Sequence, residues 1–517
     1  MDGDDVLAAS ADDGYRLRTA ASGKFSFLAF GDSGSGSPEE LALVSRMAAE
    51  PNVSFVMHTG DLAYDRGTFA QYESSYFGTN ASLMARLPFF PTPGNHEYMT
   101  ESAAPYLAFH AVPDSGVPED DRGRYYSFDW GNAHFTTLDS NLLPTNAADR
   151  MLNWVDQDLA ATRKFWKIVY FHHPPYPSGH HIADMICAQV RDRVVALLER
   201  NGVQLVISGH EHGYERSLPL RNGAAADAGE TTLYLITGGG GAGLHEVGRV
   251  PQTALTVQAH HYLRVEVDGG QLMVRATGLD GSQIDNVLLA PQPALAANGV
   301  VNAGDFTPAL APGGLASLFG RNLAPVEIST PSLPLPTELG GVRVRIGGVD
   351  APLLYVSPTQ INFQLPYNLR GAVTVRVTTP NGFDSAPAVV AEAAPAILAV
   401  VWGGRRVSAA QPVDTGALLT IYLTGLGAVR GDISAGEGAP SRPLPTAASV
   451  NVRIGNRVVQ PSFAGLAPGF SGLYQVNLTV PPDMAPGSYP LRVVTAGISS
   501  QSATLTLQLG NQQPNAH

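Results

Sequence analysis

The sequence is short of cysteine and of charge, and each shortage excludes a class of protein. Cys187 is the only cysteine among 517 residues, so the chain can form neither an intrachain disulfide nor a thiolate cluster for zinc or iron–sulfur. Charged residues make up 15% of the chain and the net charge is −13, which argues against a nucleic-acid backbone as partner. A phosphorylated substrate is compatible with this charge, because a metal site supplies positive charge locally.

Long apolar runs are also missing. No stretch approaches the roughly 20 residues of a membrane-spanning helix. The N-terminal sequence MDGDDVLAAS is acidic and has no apolar run, unlike a signal peptide. We expect a secreted or periplasmic protein whose export signal is not part of this sequence, and a cytoplasmic location is the alternative.

Histidine is absent from almost all of the C-terminal half. Thirteen of the 14 histidines lie between His58 and His261. The chain is too long for one ordinary core, and near residues 290–299 alternating strands and helices give way to a Pro- and Gly-rich β pattern. We predict four parts: an N-terminal extension over 1–23, an α/β domain over 24–292, and two β-sandwiches over 300–395 and 396–510.

The α/β domain is predicted from apolar runs and helix signals. Continuous apolar runs indicate strands buried on both faces, here at 25–30, 53–58, 133–139, 167–172, 203–208 and 232–237. Ser37 begins a capping box with Pro38 at the first helical position. Asn146 is predicted to cap a second helix, and a third is predicted to end at Asn201-Gly202. This alternation indicates an α/β sheet structure.

The C-terminal half contains an internal repeat. Residues 341–366 and 449–481 both carry V-x-V-R-I-G, followed by a Gln-x-Asn strand that ends in proline. Two such units of about a hundred residues each fit two β-sandwiches.

Five successive strand ends or their loops carry metal-ligating residue types. In an open α/β sheet, functional groups gather at the carboxyl ends of the strands. Asp61 suits the bridging carboxylate of a two-metal centre, and imidazole nitrogens suit Zn, Fe and Mn alike. The candidate ligands are Asp32, Asp61, Tyr64, Asn95, His172, His210 and His212.

The order of these motifs resembles the calcineurin-like metallophosphoesterase superfamily over residues 24–290, and more narrowly the purple acid phosphatases. The family pattern GDxG, GDxxY, GNH[DE], VxxH and GHxH stands here in Asp32–Gly34, Gly60–Tyr64, Gly94–Glu97, Val169–His172 and Gly209–His212. The resemblance implies a four-layer αββα sandwich. Tyr64 points to the purple enzymes, because a phenolate ligand favours Fe(III).

The resemblance also implies a ligand set for each of two metal ions. The first, Fe(III), would be held by Asp32, Asp61, Tyr64 and His212. The second, Fe(II), Zn(II) or Mn(II), would be held by Asp61, Asn95, His172 and His210. The implied reaction is hydrolysis of phosphate monoesters by a metal-bound hydroxide.

The stretch FHHPPYPSGHHIAD (171–184) carries the remaining candidate residues. By the resemblance, His181 or His180 protonates the leaving group, and His96 hydrogen-bonds the substrate or nucleophile. We favour His181, and the choice stays open because the loop before the pair is one residue shorter than in plant relatives. His173 is predicted to be structural. Six histidines match no motif and are predicted to be core or surface residues: His58, His110, His134, His245, His260 and His261.

Two other functions remain open from the sequence. A phosphodiesterase or nucleotidase with Mn or Zn would use the same ligands. A surface-binding protein with a vestigial metal site is the alternative from another class, although an intact ligand set argues against it. The two C-terminal β units resemble Ig-like (IPT/TIG-type) domains of bacterial secreted proteins. We expect small phosphorylated substrates, and contacts of these C-terminal domains with the cell surface or another protein.

Overall fold

The computed structural model describes residues 6–9, 16–18, 23–226, 231–330, 332–408 and 410–509. The chain divides into two units, Met1–Pro291 and Gln292–His517. Most of the predicted N-terminal extension, residues 1–23, lies outside the described residues. Its described part is an antiparallel pair of short strands, Val6–Ala9 and Arg16–Arg18. Within the described ranges, no helix is long and apolar enough to cross a membrane.

Two β-sheets form the centre of the first unit. The six-stranded sheet has the spatial order Gln283–Leu289, Gln271–Gly278, His261–Asp268, Phe25–Phe30, Phe55–His58, Phe89–Pro91. The seven-stranded sheet has the order Thr253–Val257, Tyr214–Ser217, Leu233–Thr237, Leu205–Ser208, Trp166–Phe171, Ala133–Thr137, Tyr126–Trp130. A separate two-stranded ribbon pairs Leu220–Arg221 with Ala224–Ala225.

Helices cover the outer faces of both sheets. The helical segments are Pro38–Ala49, Phe69–Gln71, Tyr72–Phe77, Gly78–Met84, Ala104–Phe109, Ala148–Ala161, Met185–Gln189, Val190–Val194 and Val195–Arg200. Short 3₁₀ turns occur at Glu97–Met99, Glu119–Asp121 and Ser140–Leu142. Tyr72–Phe77 and Val190–Val194 are π-helical turns inside longer helices.

Strand periodicity explains the layering. Alternate residues of a strand point to opposite faces, so Phe25 and Phe27 pack in the core between the two sheets while Leu28 and Phe30 pack under helix Pro38–Ala49. Strand Trp166–Phe171 divides in the same way between the intersheet core and the helices on its other side. The predicted four-layer αββα sandwich is therefore confirmed.

The helix predictions had mixed outcomes. Ser37 caps helix Pro38–Ala49 by accepting a hydrogen bond from the Glu40 backbone N–H, as predicted. The Glu40 carboxylate accepts from the Gly36 N–H at 2.7 Å instead of returning to Ser37, so the capping box is not reciprocal. Asn146 was wrong as a cap: helix Ala148–Ala161 follows Ala147, which makes no side-chain cap bond.

The second unit consists of two all-β sandwiches whose central strands have the same order and whose edge strands differ. The first sandwich pairs a sheet of Ala294–Asn302, Leu315–Arg321, Gln360–Gln364, Leu353–Val356 and Ile328–Ser329 with a sheet of Ala309–Leu310, Gly382–Val390, Gly371–Thr379, Arg343–Ile346 and Val349–Asp350. The second pairs Arg405–Arg406, Ala396–Trp402, Leu418–Thr424, Tyr474–Thr479 and Phe463–Leu466 with Val413–Asp414, Ala503–Gln508, Gly487–Thr495, Val450–Ile454, Arg457–Val459 and Ile498–Ser499.

The internal repeat accounts for this equivalence. The repeated V-x-V-R-I-G segments form strands Arg343–Ile346 and Val450–Ile454, and the Gln-x-Asn segments form Gln360–Gln364 and Tyr474–Thr479. Each pair of strands occupies the same place in its sandwich. The Gln364 side-chain oxygen accepts hydrogen bonds from the Gly436 N–H and the Ser471 hydroxyl, which joins the two sandwiches of this unit.

Candidate metal centre

The predicted ligands converge where the parallel strands of the two sheets end. Asp32, Asp61 and Asn95 follow the parallel strands Phe25–Phe30, Phe55–His58 and Phe89–Pro91 of one sheet. His172 and His210 follow Trp166–Phe171 and Leu205–Ser208 of the other. The distances given below link all seven predicted ligands into one cluster.

Tyr64 is at the centre of the first predicted ligand set. Its hydroxyl oxygen lies 3.0 Å from Asp61 Oδ2, 3.4 Å from Asp32 Oδ1 and 3.2 Å from His212 Nε2. His212 Nδ1 donates to the carbonyl oxygen of Gly243 at 2.6 Å, which leaves Nε2 as the nitrogen that faces the other ligands. Ligand atoms of a phenol, two carboxylates and an imidazole therefore surround one point.

His172 is at the centre of the second set. Its Nδ1 donates to the Thr59 carbonyl oxygen at 2.9 Å, and its Nε2 lies 2.9 Å from Asn95 Oδ1, 3.2 Å from His210 Nδ1 and 3.4 Å from Asp61 Oδ2. Asp61 Oδ2 thus faces both sets, as a bridging carboxylate must.

The donor atoms of the second set fit a bound cation. Because Nδ1 of His172 carries a proton, neutral His172 directs a lone pair from Nε2 toward the amide oxygen of Asn95, and two acceptors in contact repel each other. Burial alone would lower the pKa of His172, but attraction by Asp61 and Asp32 raises that pKa to about 10. A proton would satisfy the pair in the absence of metal, and a metal ion would take its place.

Three ligands sit in left-handed backbone conformations. The φ angles are 57° at Asp32, 55° at Asp61 and 70° at His210, values that non-glycine residues adopt uncommonly and that recur at functional sites. Two glycines, each next to a ligand in the chain, allow the ligand loops to approach one another closely. A Cβ on Gly94 would overlap the Asp61 carboxylate, and a Cβ on Gly209 would overlap that of Asp32.

Glu97 holds two ligand loops together, a role that the motif GNH[DE] did not reveal. Its fully buried carboxylate accepts hydrogen bonds from the backbone N–H groups of Gly94 at 2.7 Å, Asp61 and Leu62 at 2.9 Å, and Ala63 at 3.3 Å. Burial and the Asp61 charge raise the pKa of Glu97 to about 8, but all four partners are hydrogen-bond donors, which favours the ionised carboxylate. A neutral amide cannot satisfy all four.

Replacing Glu97 by glutamine should lower the free energy of unfolding by about 2–4 kcal/mol, because an amide NH₂ would face buried backbone donors and the charged acceptor would be lost. Denaturant titration followed by tryptophan fluorescence measures this, since three of the four tryptophans lie in the first unit. Exposed Glu101 provides the matched control, and Glu101→Gln should change stability by less than about 0.5 kcal/mol. Equal stability of the two variants would contradict the proposed role.

Glu211, between two of the predicted ligands, fixes the second histidine pair. Its buried carboxylate accepts from the backbone N–H of His180 at 3.1 Å and of His181 at 2.8 Å. The His181 ring stacks on the His210 ring with centroids 3.7 Å apart, whereas His180 is exposed. Of the two, His181 is therefore the one that lies directly against a predicted metal ligand.

The ring of His96 packs against the ring of Tyr64. Its ring centroid is 4.4 Å from that of Tyr64, its Nδ1 donates to the Asp65 carbonyl oxygen at 2.6 Å, and its Nε2 is 3.8 Å from Asp61 Oδ2. The predicted substrate-contacting histidines, His96 and His181, are thus both next to predicted ligands.

Sequence reasoning missed two further residues of this region. Asp184 caps helix Met185–Gln189 through Oδ1, and its Oδ2 lies 3.6 Å from His210 Nε2. His245 was predicted to be a core or surface histidine, and this was wrong: its ring stacks on His212 with centroids 3.8 Å apart, and its Nδ1 is 3.2 Å from Glu211 Oε1. Neither residue belongs to a motif, so only the folded chain reveals it.

The other histidines without motifs contact groups of the surrounding fold, as does His173, which also packs against the His172 and His210 rings. His58 is buried against the Ser33 hydroxyl at 2.9 Å, and burial lowers its pKa to about 3. His110 packs among tyrosine rings, and His134 forms ion pairs with Asp129 and Asp158. The remaining contacts are made by His173 with the Ser140 hydroxyl, His260 with the Gly239 carbonyl and His261 with the Thr237 hydroxyl.

Comparison with known proteins gives a consistent set of relatives. Residues 25–214 match the sequence profile of the family described as Calcineurin-like phosphoesterase. Acid phosphatase type 7 of Mus musculus is 25% identical over 295 residues, covering 50% of this chain and 66% of that protein. Purple acid phosphatase 18 of Arabidopsis thaliana is 30% identical over 199 residues, covering 36% and 43%.

Among solved structures, a purple acid phosphatase from seeds of yellow lupin (Lupinus luteus) aligns with a TM-score of 0.49 and 18% identity, over 54% of this chain and 56% of that one. The matched regions thus span about two thirds or less of each relative's own length.

Proposed function

Because the chain carries a domain of the calcineurin-like phosphoesterase family over residues 25–214, we propose that it hydrolyses phosphate monoesters at a binuclear metal centre. The observation that best supports this proposal is the position of Asp61. One carboxylate oxygen lies 3.0 Å from the Tyr64 hydroxyl and 3.4 Å from His172 Nε2. A single carboxylate oxygen between two complete sets of metal ligands is what two adjacent metal ions require.

The proposed ligands divide into two sets that share Asp61. Asp32, Tyr64 and His212 complete the first set, for Fe(III); Asn95, His172 and His210 complete the second, for Fe(II), Zn(II) or Mn(II). When bound, two such cations would neutralise charge on the phosphoryl oxygens and lower the pKa of the attacking water.

The side chains around the centre supply the remaining steps. His96 is held by its bond to the Asp65 carbonyl, which orients Nε2 toward the reacting region, where it would hydrogen-bond a phosphoryl oxygen. His181 would donate a proton to the leaving oxygen, and Glu211 holds the backbone that carries it. Asp184 Oδ2 lies 3.6 Å from His210 Nε2, and this electrostatic attraction favours the ring orientation in which Nδ1 faces the second set.

A phosphodiesterase or nucleotidase would use the same ligands, and substrate profiling separates these reactions from monoester hydrolysis. A vestigial site fits the geometry less well, because the contacts of buried Glu97 and of partly exposed Asp184 support ligand positions that a binding protein would not need to keep. Small phosphorylated molecules are the proposed substrates. We also propose an extracytoplasmic location, which fractionation of the producing cell would test, with the second unit contacting the cell surface or another protein.

Metal content and colour test the proposal directly. The oxidised protein should contain about two metal ions per chain, iron among them, and should absorb visible light through the Tyr64 phenolate. Tyr64→Phe should remove the band while the protein stays folded and still binds metal, and visible and circular dichroism spectra measure the two outcomes. A colourless wild type fully loaded with zinc or manganese would contradict Fe(III) but not hydrolysis, whereas a metal-replete protein inactive on all phosphate esters would contradict the proposed function.

A further inference from the structure

Three side chains beside the proposed binuclear centre converge on a point that neither ligand set uses. His245 Nδ1 lies 3.2 Å from Glu211 Oε1, and His181 Nδ1 lies 3.7 Å from Glu211 Oε2. The three donor atoms that these residues offer all lie within 4.8 Å of one another. Glu211 is completely buried, while the His181 and His245 side chains are 20% and 22% exposed, so the cluster lies at the edge of the solvent-accessible surface.

Hydrogen bonding within the protein does not satisfy this cluster. Nδ1 of His181 is a buried atom with no hydrogen-bond partner in the part of the chain that the structure describes. Nδ1 of His245 has the Glu211 oxygen at 3.2 Å and the His212 backbone N–H at 3.3 Å. One neighbour is an acceptor and the other a donor, so neither tautomer of His245 matches both. One imidazole nitrogen without a partner and one with mismatched neighbours therefore face the buried Glu211 carboxylate, whose oxygens accept from the His180 and His181 backbone N–H groups.

The spacing suits a tetrahedral divalent cation. Zinc binds imidazole nitrogen and carboxylate oxygen at about 2.0–2.2 Å, which places neighbouring ligand atoms of a tetrahedron about 3.3–3.6 Å apart. His245 Nδ1 lies 3.2 Å from Glu211 Oε1 and His181 Nδ1 lies 3.7 Å from Oε2, so each nitrogen is close to this distance from one of the two carboxylate oxygens. Two imidazoles and one carboxylate with a solvent-facing fourth position form a common zinc donor set.

We propose that His181, Glu211 and His245 form a third cation site, selective for zinc-like divalent ions and separate from the two-metal centre. Its occupant ligates Nδ1 of His181 and so withdraws that ring from the leaving group. Zinc at this site therefore inhibits the enzyme through His181. This inhibitory consequence rests on the proposed hydrolytic function; the binding of the ion does not.

Metal counting tests the site without reference to activity. The protein loaded with two metals per chain is dialysed against rising concentrations of Zn²⁺, and bound zinc is measured by elemental analysis. The wild type should take up one further zinc ion per chain. His245→Asn keeps an amide nitrogen near the Nδ1 position but removes the imidazole ligand. The affinity of this variant for the further zinc ion should fall by at least about tenfold. Losing a residue that only hydrogen-bonds a metal ligand already costs about that much affinity.

His260→Gln is the matched control, because His260 is a partly buried histidine of the same unit that contacts the Gly239 carbonyl instead of the cluster. It should bind the further zinc as the wild type does. If the wild type takes up no more zinc than His245→Asn, or if His260→Gln loses the ion equally, the site does not exist as proposed.

Inhibition by zinc provides the second readout. Excess Zn²⁺ should slow hydrolysis of alkyl phosphates more than that of nitrophenyl phosphate, since only the alkoxide needs a proton to leave. His245→Asn should need at least about tenfold more zinc for the same inhibition. Equal inhibition of both esters would overturn the link to His181. A two-metal protein inactive on every ester would instead refute the proposed function, and the zinc count would still decide the site.

Discussion

Replacing Asp61 by asparagine should reduce turnover by at least about a thousandfold, because the charge that faces both predicted metals disappears while the shape of the residue is kept. Oδ2 of Asp61 contacts the Tyr64 hydroxyl and His172 Nε2, and Oδ1 accepts from the His96 N–H at 3.0 Å. Asparagine can retain the bond to His96 through its oxygen. The NH₂ group of asparagine would then face the two sets of metal ligands, where it can neither ligate a cation nor neutralise its charge.

The backbone should tolerate this change. Asp61 has a φ of 55°, and asparagine adopts that left-handed region as readily as aspartate does. Burial alone would raise the pKa of Asp61, but His172 and His96 lower it well below its usual range, so the wild-type residue is ionised at every pH at which the enzyme would work. The variant therefore removes a permanent charge and not one that titrates.

Turnover and metal content should be measured on the same Asp61→Asn preparation, with Asp65→Asn as the control. Asp65 is exposed, and its contact with His96 runs through the backbone carbonyl, so its side-chain change should leave turnover within about twofold of the wild type. Turnover near the wild-type value in an Asp61→Asn protein with two metals bound would contradict a bridging role.

Asp32, Asp61 and His210 could be singled out because each lies within three residues of the end of a strand that is buried on both faces. Asn95 instead follows Phe89–Pro91, a partly buried strand that was not predicted. An uninterrupted apolar run such as Phe25–Phe30 marks both the strand and the loop that must carry polar groups. Glu211 and His245 show the limit of this reasoning. Their contact depends on how the loop around residues 239–250 folds over the loop after His172, and tertiary contacts of this kind leave no local periodicity in the sequence.

The sheets show the same limit. The hairpin strands His261–Asp268 and Gln271–Gly278 extend the six-stranded sheet next to Phe25–Phe30, although more than two hundred residues separate them from it in the chain. Neither hairpin strand was predicted, because charged residues such as Arg264 and Glu266 interrupt the continuous apolar run used to find the central strands. The predicted Asn146 cap was wrong because the helix begins one residue later, after Ala147. The Thr145 hydroxyl accepts a hydrogen bond from the Ala147 N–H in the turn before the helix.

Removing His181 should have the second largest effect, and the effect should depend on the leaving group. The ring lies 3.7 Å from that of His210, which places it beside the proposed centre, whereas His180 is exposed. Burial lowers the pKa of His181 to about 3 in the substrate-free protein. The ring would therefore become an acid only when the negative charge of a bound phosphate ester draws a proton to it.

His181→Asn should slow hydrolysis of alkyl phosphates such as glycerol phosphate by about a hundredfold or more, the range that a general acid contributes. Nitrophenyl phosphate should lose far less, because nitrophenolate leaves without a proton. His180→Asn is the matched variant: if His180 acts only in binding, both esters should change equally and mainly through KM.

The pH profile of turnover separates proton donation from positioning. The wild type should lose activity on alkyl phosphates as pH rises and the enzyme–substrate complex loses the proton on His181. The same alkaline limb should disappear from the His181→Asn profile, since the residual reaction no longer needs that protonated form. Equal rate losses on both ester types in both variants, with the alkaline limb unchanged, would show that neither histidine is the acid and that the pair only positions the phosphate.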